Sequence, residues 1–292
     1  MTTRRHFIIT ATALLTGGAL NPVRGFAQPQ DFEAKIRLIE GKVKGRLGVT
    51  ALDTGSQRRF EYRADERFAM CSTFKLLAAA AILKRVDEGQ EQLARRVRYT
   101  ASDLVTYSPV TEKHIADGMT LAELCEAAIT LSDNTAGNLM LAAIGGPAGL
   151  TAYARTLGDS LTRLDRIETA LNEAAPGDAR DTTVPAAMAA DIRKLLFGDA
   201  LASASKDQLK TWLLANKTGD MRLRARLPAG WRVGDKTGSG ERGTTNDVGF
   251  LLRPAASPII VAAYLTETAA PMSARNEALA AVGEAVAAAF AV

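Results

Sequence analysis

The chain has 292 residues, 47% of them hydrophobic and 23% charged, proportions ordinary for a soluble enzyme of one or two domains with a large core. Its formal charge of +4 invites a nucleic-acid partner. However, Arg4, Arg5 and Arg24 fall within residues 1–27 with no acid among them, so the basic excess belongs mostly to a leader and no nucleic-acid role is expected. Two cysteines and two histidines, one of these in the leader, make no zinc site, and neither metal nor cofactor is expected.

The leader opens with Arg4-Arg5, runs through an apolar segment from Phe7 to Leu20 broken by Gly17-Gly18, and closes on the small Ala27. Residues 1–27 therefore read as a secretory signal, and the paired arginines point to the Tat route, in which the protein crosses already folded. The segment falls short of the roughly 18–20 strongly apolar residues that a membrane anchor needs. The mature chain is expected in the periplasm or secreted, free of the membrane. An oxidising compartment would permit a bridge between Cys71 and Cys125, but the preferred reading is two buried free thiols.

After the leader, Phe32, Ile36, Ile39 and Val43 recur at helical spacing behind Asp31 as a cap. The period then changes: Leu47, Val49 and Ala51 alternate, Asp53-Thr54-Gly55-Ser56 turns, and Phe60 and Tyr62 alternate again as a β-hairpin. From Ser72 the pattern is helical over about 140 residues. One helix runs from Thr73 to Glu88, another starts at Thr120 with Glu123 as its capping box, and Pro185 opens a third. A long polar connection covers Arg166 to Asp181. Strand signals return at Trp231–Thr237, Val248–Leu252 and Ile259–Leu265, and Leu279, Val282, Val286 and Phe290 mark a final helix. Two early and three late strands predict one five-stranded sheet flanked by helices, an α/β domain of residues 28–64 and 216–292. An all-α domain of residues 65–215 is inserted into it, with a ligand cleft where the two meet.

Ser72 and Lys75, three apart on a helix, share a face, so the amine can activate the hydroxyl as a nucleophile. Ser203 to Lys206 repeats the spacing in a polar stretch, where Ser205 and Gln208 read as a structural capping box. His114 is the one histidine of the mature chain, and no Gly-x-Ser-x-Gly elbow exists, so a Ser-His-Asp triad is not expected. The base for Ser72 must be a lysine or a carboxylate. Ser132-Asp133-Asn134 and Lys236-Thr237-Gly238-Ser239-Gly240 add to this chemistry, because a strand edge ending in Lys236 offers a cation to a carboxylate and an N–H to an oxyanion. Lys217-Thr218-Gly219 repeats the second motif but reads as a helix end with Gly219 as its cap.

In this order, Ser72-x-x-Lys75, Ser132-Asp133-Asn134 and Lys236-Thr237-Gly238 resemble the motifs of serine β-lactamases and penicillin-binding proteins. The stretch from Arg166 through Glu168 to Asn172 resembles the Ω-loop of class A β-lactamases, a glutamate that penicillin-binding proteins lack. The resemblance covers the whole mature chain and implies a monomeric enzyme hydrolysing penicillins and cephalosporins. It implies Ser72 as nucleophile, with Lys75, or Glu168 through water, as its base. Glu168 would activate the deacylating water held by Asn172, Ser132 would pass a proton to the lactam nitrogen, and the N–H groups of Ser72 and Ser239 would form the oxyanion hole. Lys236, Thr237 and Ser239 would bind the substrate carboxylate, Asn134 the acylamino chain, and Tyr107 would wall the cleft entrance. Arg166 would pair with Asp181 to close the loop. Thr245 stands where many penicillinases carry an arginine, and Arg222 resembles its replacement in broad-spectrum members. Cys71 and Ser239 resemble the cefotaxime-hydrolysing group. Carbapenemases often bridge the cysteine before the nucleophile to one at the place of Gly240, and some relatives pair Cys125 with a residue at the place of Ala79, so no bridge is implied. A D,D-peptidase and a non-catalytic β-lactam sensor are the alternatives.

Overall fold

Two strands near the start of the chain and three near its end join in one antiparallel sheet. The computed structural model describes residues 29–291, so the expected leader lies outside the described residues. The strands are β1 (Arg46–Asp53), β2 (Arg59–Tyr62), β7 (Arg232–Ser239), β8 (Thr245–Leu252) and β9 (Ile259–Thr266), in the spatial order β2-β1-β9-β8-β7. Between β2 and β7 lie only two-residue ladders, β3 (Phe68–Ala69) with β6 (Thr182–Thr183) and β4 (Arg96–Val97) with β5 (Met119–Thr120). The hairpin turn between β1 and β2 is closed by Asp53, whose Oδ1 accepts the N–H groups of Gly55 and Ser56.

Alternation along β1 sends Leu47, Val49 and Ala51 to one face, where they pack with Phe32 and Ile36 of helix α1 (Pro29–Val43) and with Leu279, Val282 and Phe290 of helix α8 (Met272–Phe290). Its opposite face is covered as well. Leu52, Val248, Phe250, Ile260 and Tyr264 face the helical mass, so β1 and β9 are buried nearly throughout, where alternation alone predicts one wet face. The molecule is therefore three layers deep, and β7, which carries Lys236-Thr237-Gly238, is the edge strand of the middle layer.

Helix α2 (Phe74–Asp87) is the axis of the helical part, and every residue from Phe74 to Leu83 is buried. A helix apolar on all sides can only be a core helix. Around it stand α3 (Leu121–Thr130), α4 (Asn134–Ala143), α5 (Gly146–Thr156), α6 (Pro185–Phe197) and α7 (Ser203–Leu214). Thr120 and Glu123 make the expected capping box for α3, and Pro185 opens α6.

Four local expectations are corrected. Asp31 is not a cap, because α1 begins at Pro29 and Asp31 lies in its first turn, where its charge opposes the helix dipole. Ser205 and Gln208 form no capping box, since α7 starts at Ser203; the cap is supplied from α2 by Asp87, whose carboxylate accepts Ala202 N at 2.8 Å and Ser205 Oγ at 2.6 Å. Gly219 does not cap α7, which ends at Leu214. And β8 begins at Thr245 rather than Val248, because Thr245, Asn246 and Asp247 pair with β7 despite their polarity.

Candidate active site

Ser72 lies in a single 3-10 turn, Cys71–Thr73, that runs directly into α2 and brings Lys75 beneath the hydroxyl. Lys75 Nζ is 2.9 Å from Ser72 Oγ, 2.9 Å from Ser132 O, 2.7 Å from Asn134 Oδ1 and 3.0 Å from Glu168 Oε1. Four oxygen neighbours exceed the three hydrogens of an ammonium, so Ser72 and Glu168 share the last. Burial pushes Lys75 below the usual lysine range, and Glu168 pulls it back up. Room for the lysine stem comes from α4: a Cβ on Gly137 would lie 2.6 Å from Lys75 Cε.

Ser132, Asp133 and Asn134 form the joint between α3 and α4. Asp133 is wholly structural: its Oδ1 caps α4 through Ala136 N, and its Oδ2 accepts Val110 N and Thr111 N at 2.9 and 3.0 Å. This fixes Ser132, whose φ is +60°, and Asn134, whose N–H donates to Tyr107 O and whose Nδ2 donates to Thr106 O. Tyr107 itself is 56% exposed at this rim, so it does not pack into the core.

The segment between α5 and α6 brings Glu168 to the serine. Ser72 Oγ donates to Glu168 Oε1 at 3.0 Å, and Asn172 Nδ2 donates to Glu168 Oε2 at 2.6 Å. The carboxylate thus touches the hydroxyl directly, where the resemblance implied a water between them. Asn172 Oδ1 is buried with no partner, an acceptor that requires a donor. Arg166 pairs with Asp181 at 2.6 Å as expected and also with Glu173 at 2.5 Å. Asn138, absent from the sequence reading, holds Glu168 from both sides of its backbone: Oδ1 accepts Glu168 N at 2.8 Å and Nδ2 donates to Glu168 O at 3.0 Å. Its one sequence signal is a place four residues after Asn134 on the same helix face.

Strand β7 closes the other side. Lys236 is fully buried and its Nζ reaches Ser132 Oγ at 3.1 Å; burial, then Lys75 and Arg222, hold its pKa well below the usual lysine range. Gly238 passes so near the serine turn that a Cβ there would lie 2.8 Å from Met70 O, and Asn246 Nδ2 stitches β8 to Ala69 O and Met70 O. Thr237 Oγ1 meets Thr218 Oγ1 at 2.5 Å. The repeat at Lys217-Thr218-Gly219 is therefore a neighbour of the site, found by spatial contact and not by its motif. Ser239 is exposed at the strand end and its Oγ accepts from Arg222 Nη2 at 2.8 Å. Arg222 is buried, with Nη1 on Gly238 O and Asn246 O at 2.9 and 2.6 Å and Nε on Asn276. Its guanidinium reaches the cleft through Ser239. Cys71 and Cys125 are both buried and unpaired; a Cβ on Gly240 would lie 2.6 Å from Cys71 Sγ and 2.7 Å from Asn172 O.

Ser72, Lys75, Ser132, Asn134, Glu168, Asn172 and Lys236 thus converge on one hydrogen-bonded centre, with Thr237, Ser239 and Arg222 along its strand wall and Tyr107 at the rim. A hydroxyl between an amine and a carboxylate, beside two buried cations, suits nucleophilic attack on the carbonyl of an anionic substrate.

Residues 31–290 match the model of the beta-lactamase enzyme family. Among solved structures, the class A β-lactamase of the last common ancestor of Gram-negative bacteria is 62% identical with a TM-score of 0.88, over 89% of this chain and 99% of that one. Another ancestral class A β-lactamase is also 62% identical, with a TM-score of 0.88 over 89% of this chain and all of the other (100%). PenP from Rhodopseudomonas palustris, described as a candidate class A β-lactamase, is 61% identical with a TM-score of 0.87, over 89% and 99% of the two chains.

Proposed function

Because this chain belongs to the class A serine β-lactamases, hydrolases of the β-lactam ring, we propose that Ser72 opens the ring and that Glu168 frees the resulting ester. The observation that carries this reading is the contact of Glu168 Oε1 with Ser72 Oγ at 3.0 Å beside the orphaned Asn172 Oδ1. In acylation Ser72 gives its proton to Glu168. Lys75 holds its place beneath Ser72 as this happens, because Ser132 O and Asn134 Oδ1 accept two of its N–H groups. The N–H groups of Ser72 and Ser239 receive the carbonyl oxygen as it becomes negative. Ser132 passes its proton to the lactam nitrogen as the C–N bond breaks and is reprotonated by Lys236, which recovers a proton from solvent. Glu168 gives up to solvent the proton it took from Ser72 and is a carboxylate again before deacylation.

Once acylated, Ser72 Oγ carries no proton and releases Glu168 Oε1. A water entering there donates one hydrogen to Glu168 and the other to Asn172 Oδ1, which aims its lone pair at the ester carbon. Asn138 keeps the carboxylate in place by its backbone. Lys236, Thr237 and Ser239 hold the substrate carboxylate, whose negative charge offsets the mutual repulsion of Lys75, Lys236 and Arg222. Asn134 takes the acylamino chain, and Tyr107 lies along the entrance. Penicillins and cephalosporins, each with a carboxylate beside the lactam, are the proposed substrates. The twin-arginine leader supports export to the periplasm or beyond, where the enzyme works as a monomer; among the described residues no helix is long and apolar enough to cross a membrane.

Glu168→Ala tests the reading. Penicillin should acylate Ser72 more slowly, and the ester that does form should persist by mass spectrometry, with kcat down by about 10³-fold, the size of a lost general base. Turnover near the parent rate would overturn the role of Glu168.

A further inference from the structure

Behind the segment that carries Glu168 lies a cavity of about 430 Å³, bounded by Ala69, Ala175, Pro176 and Ala179 and by four arginines, Arg46, Arg67, Arg166 and Arg180. The size is that of a small-molecule site, roughly 300–1,000 Å³. Three of the arginines are matched by acids: Arg46 with Glu66 and Glu267, Arg166 with Asp181 and Glu173, Arg180 with Asp178. Arg67 is not. Its Nη1 donates to Leu161 O at 2.9 Å and Thr182 Oγ1 at 3.0 Å, which fixes the guanidinium; among the described residues it has no acidic partner, and its Nε and Nη2 have no protein acceptor.

A guanidinium held rigidly with two donors to spare is preorganised for a bidentate carboxylate. The alanine and proline walls exclude a bare hydrated anion as the best fit, since they offer apolar surface that only a carbon skeleton covers. From the guanidinium of Arg67, without an acidic partner, and these walls we propose that the cavity binds a small organic carboxylate with a compact apolar body, its acid group on Arg67 and its body against Ala175 and Pro176. The site is distinct from Ser72 and stands whether or not Glu168 is the deacylating base.

Isothermal titration with benzoate tests it. The wild-type protein should bind with Kd of about 1 mM, as expected for a fragment of this size. Arg67→Gln should weaken binding by about tenfold or more, and so should Ala175→Phe, which fills the cavity but leaves Arg67 intact; both should still unfold in one cooperative thermal transition. Lys236→Ala, which alters the other carboxylate site, should bind benzoate like the parent. Inorganic phosphate should bind more weakly than benzoate. No benzoate binding at about 10 mM, binding lost in Lys236→Ala but kept in Arg67→Gln, or phosphate binding as tightly as benzoate would each overturn the proposal.

Discussion

Arg222 illustrates how a residue can serve a cleft that it barely enters. Its guanidinium satisfies the carbonyls of Gly238 and Asn246 and the hydroxyl of Ser239, and burial lowers its pKa. Arg222→Ala would leave two buried carbonyls unsatisfied, at about 1–3 kcal/mol each, and would free Ser239 to rotate. The expected outcome is a fall in Tm together with a rise in KM for cephalosporins, read by thermal unfolding and steady-state kinetics. Arg222→Lys, a point charge without the planar fork, should recover only part of either; unchanged kinetics in Arg222→Ala would remove the link to Ser239. At this scale the sequence shows local geometry best. Ser72 and Lys75 are legible because one helical turn puts them together, whereas Asn138 and Thr218 are not, since their partners are a backbone 30 residues away and a hydroxyl 19 residues away.

Helices α2 and α7 are coupled by a cap that neither sequence segment announces. Asp87, at the end of α2, accepts Ala202 N and Ser205 Oγ at the start of α7, so the cap belongs to the packing and not to the helix that it closes. Asp87→Ala should cost about 1 kcal/mol, or roughly 2–4 °C in Tm for a chain of this size. It should leave kcat/KM unchanged, because Asp87 sits at the opposite end of α2 from Ser72. A loss of activity at unchanged Tm would contradict this role. Element order, the terminal helices and the five strands were readable from period and punctuation. The start of β8 was not, because a polar run reads as loop until its ladder with β7 is known, and the Ser205 capping box was a local pattern overruled by a tertiary contact.

For the whole molecule, pH enters through a carboxyl pair remote from the cleft. Asp191 on α6 is buried beside Asp159, whose Oδ1 holds the turn at Leu161 and Thr162, and one oxygen of each acid lacks any other partner. Burial, reinforced by Asp159, pushes Asp191 up to about 9. In the unfolded chain the group titrates at about 4. Between these values the native state retains a proton that the unfolded state has lost, so stability falls as pH rises and levels off above about 9. Asp191→Asn keeps a neutral donor toward Asp159. It should match the parent Tm near pH 4 and exceed it by a margin that widens as pH rises to 8; a difference in Tm that stays constant across that range would refute the retained proton.

The pairing of Arg46 with Thr266 across β1 and β9 has a consequence for biosynthesis. At about 5–20 residues per second, a ribosome leaves β1 without its inner neighbour for roughly ten to forty seconds. During that interval a largely apolar strand shows an open edge, the form most prone to aberrant pairing. Folding of the sheet is therefore completed only after nearly all the chain has been translated, and a nascent polypeptide halted before Ile259 has no route to a closed sheet.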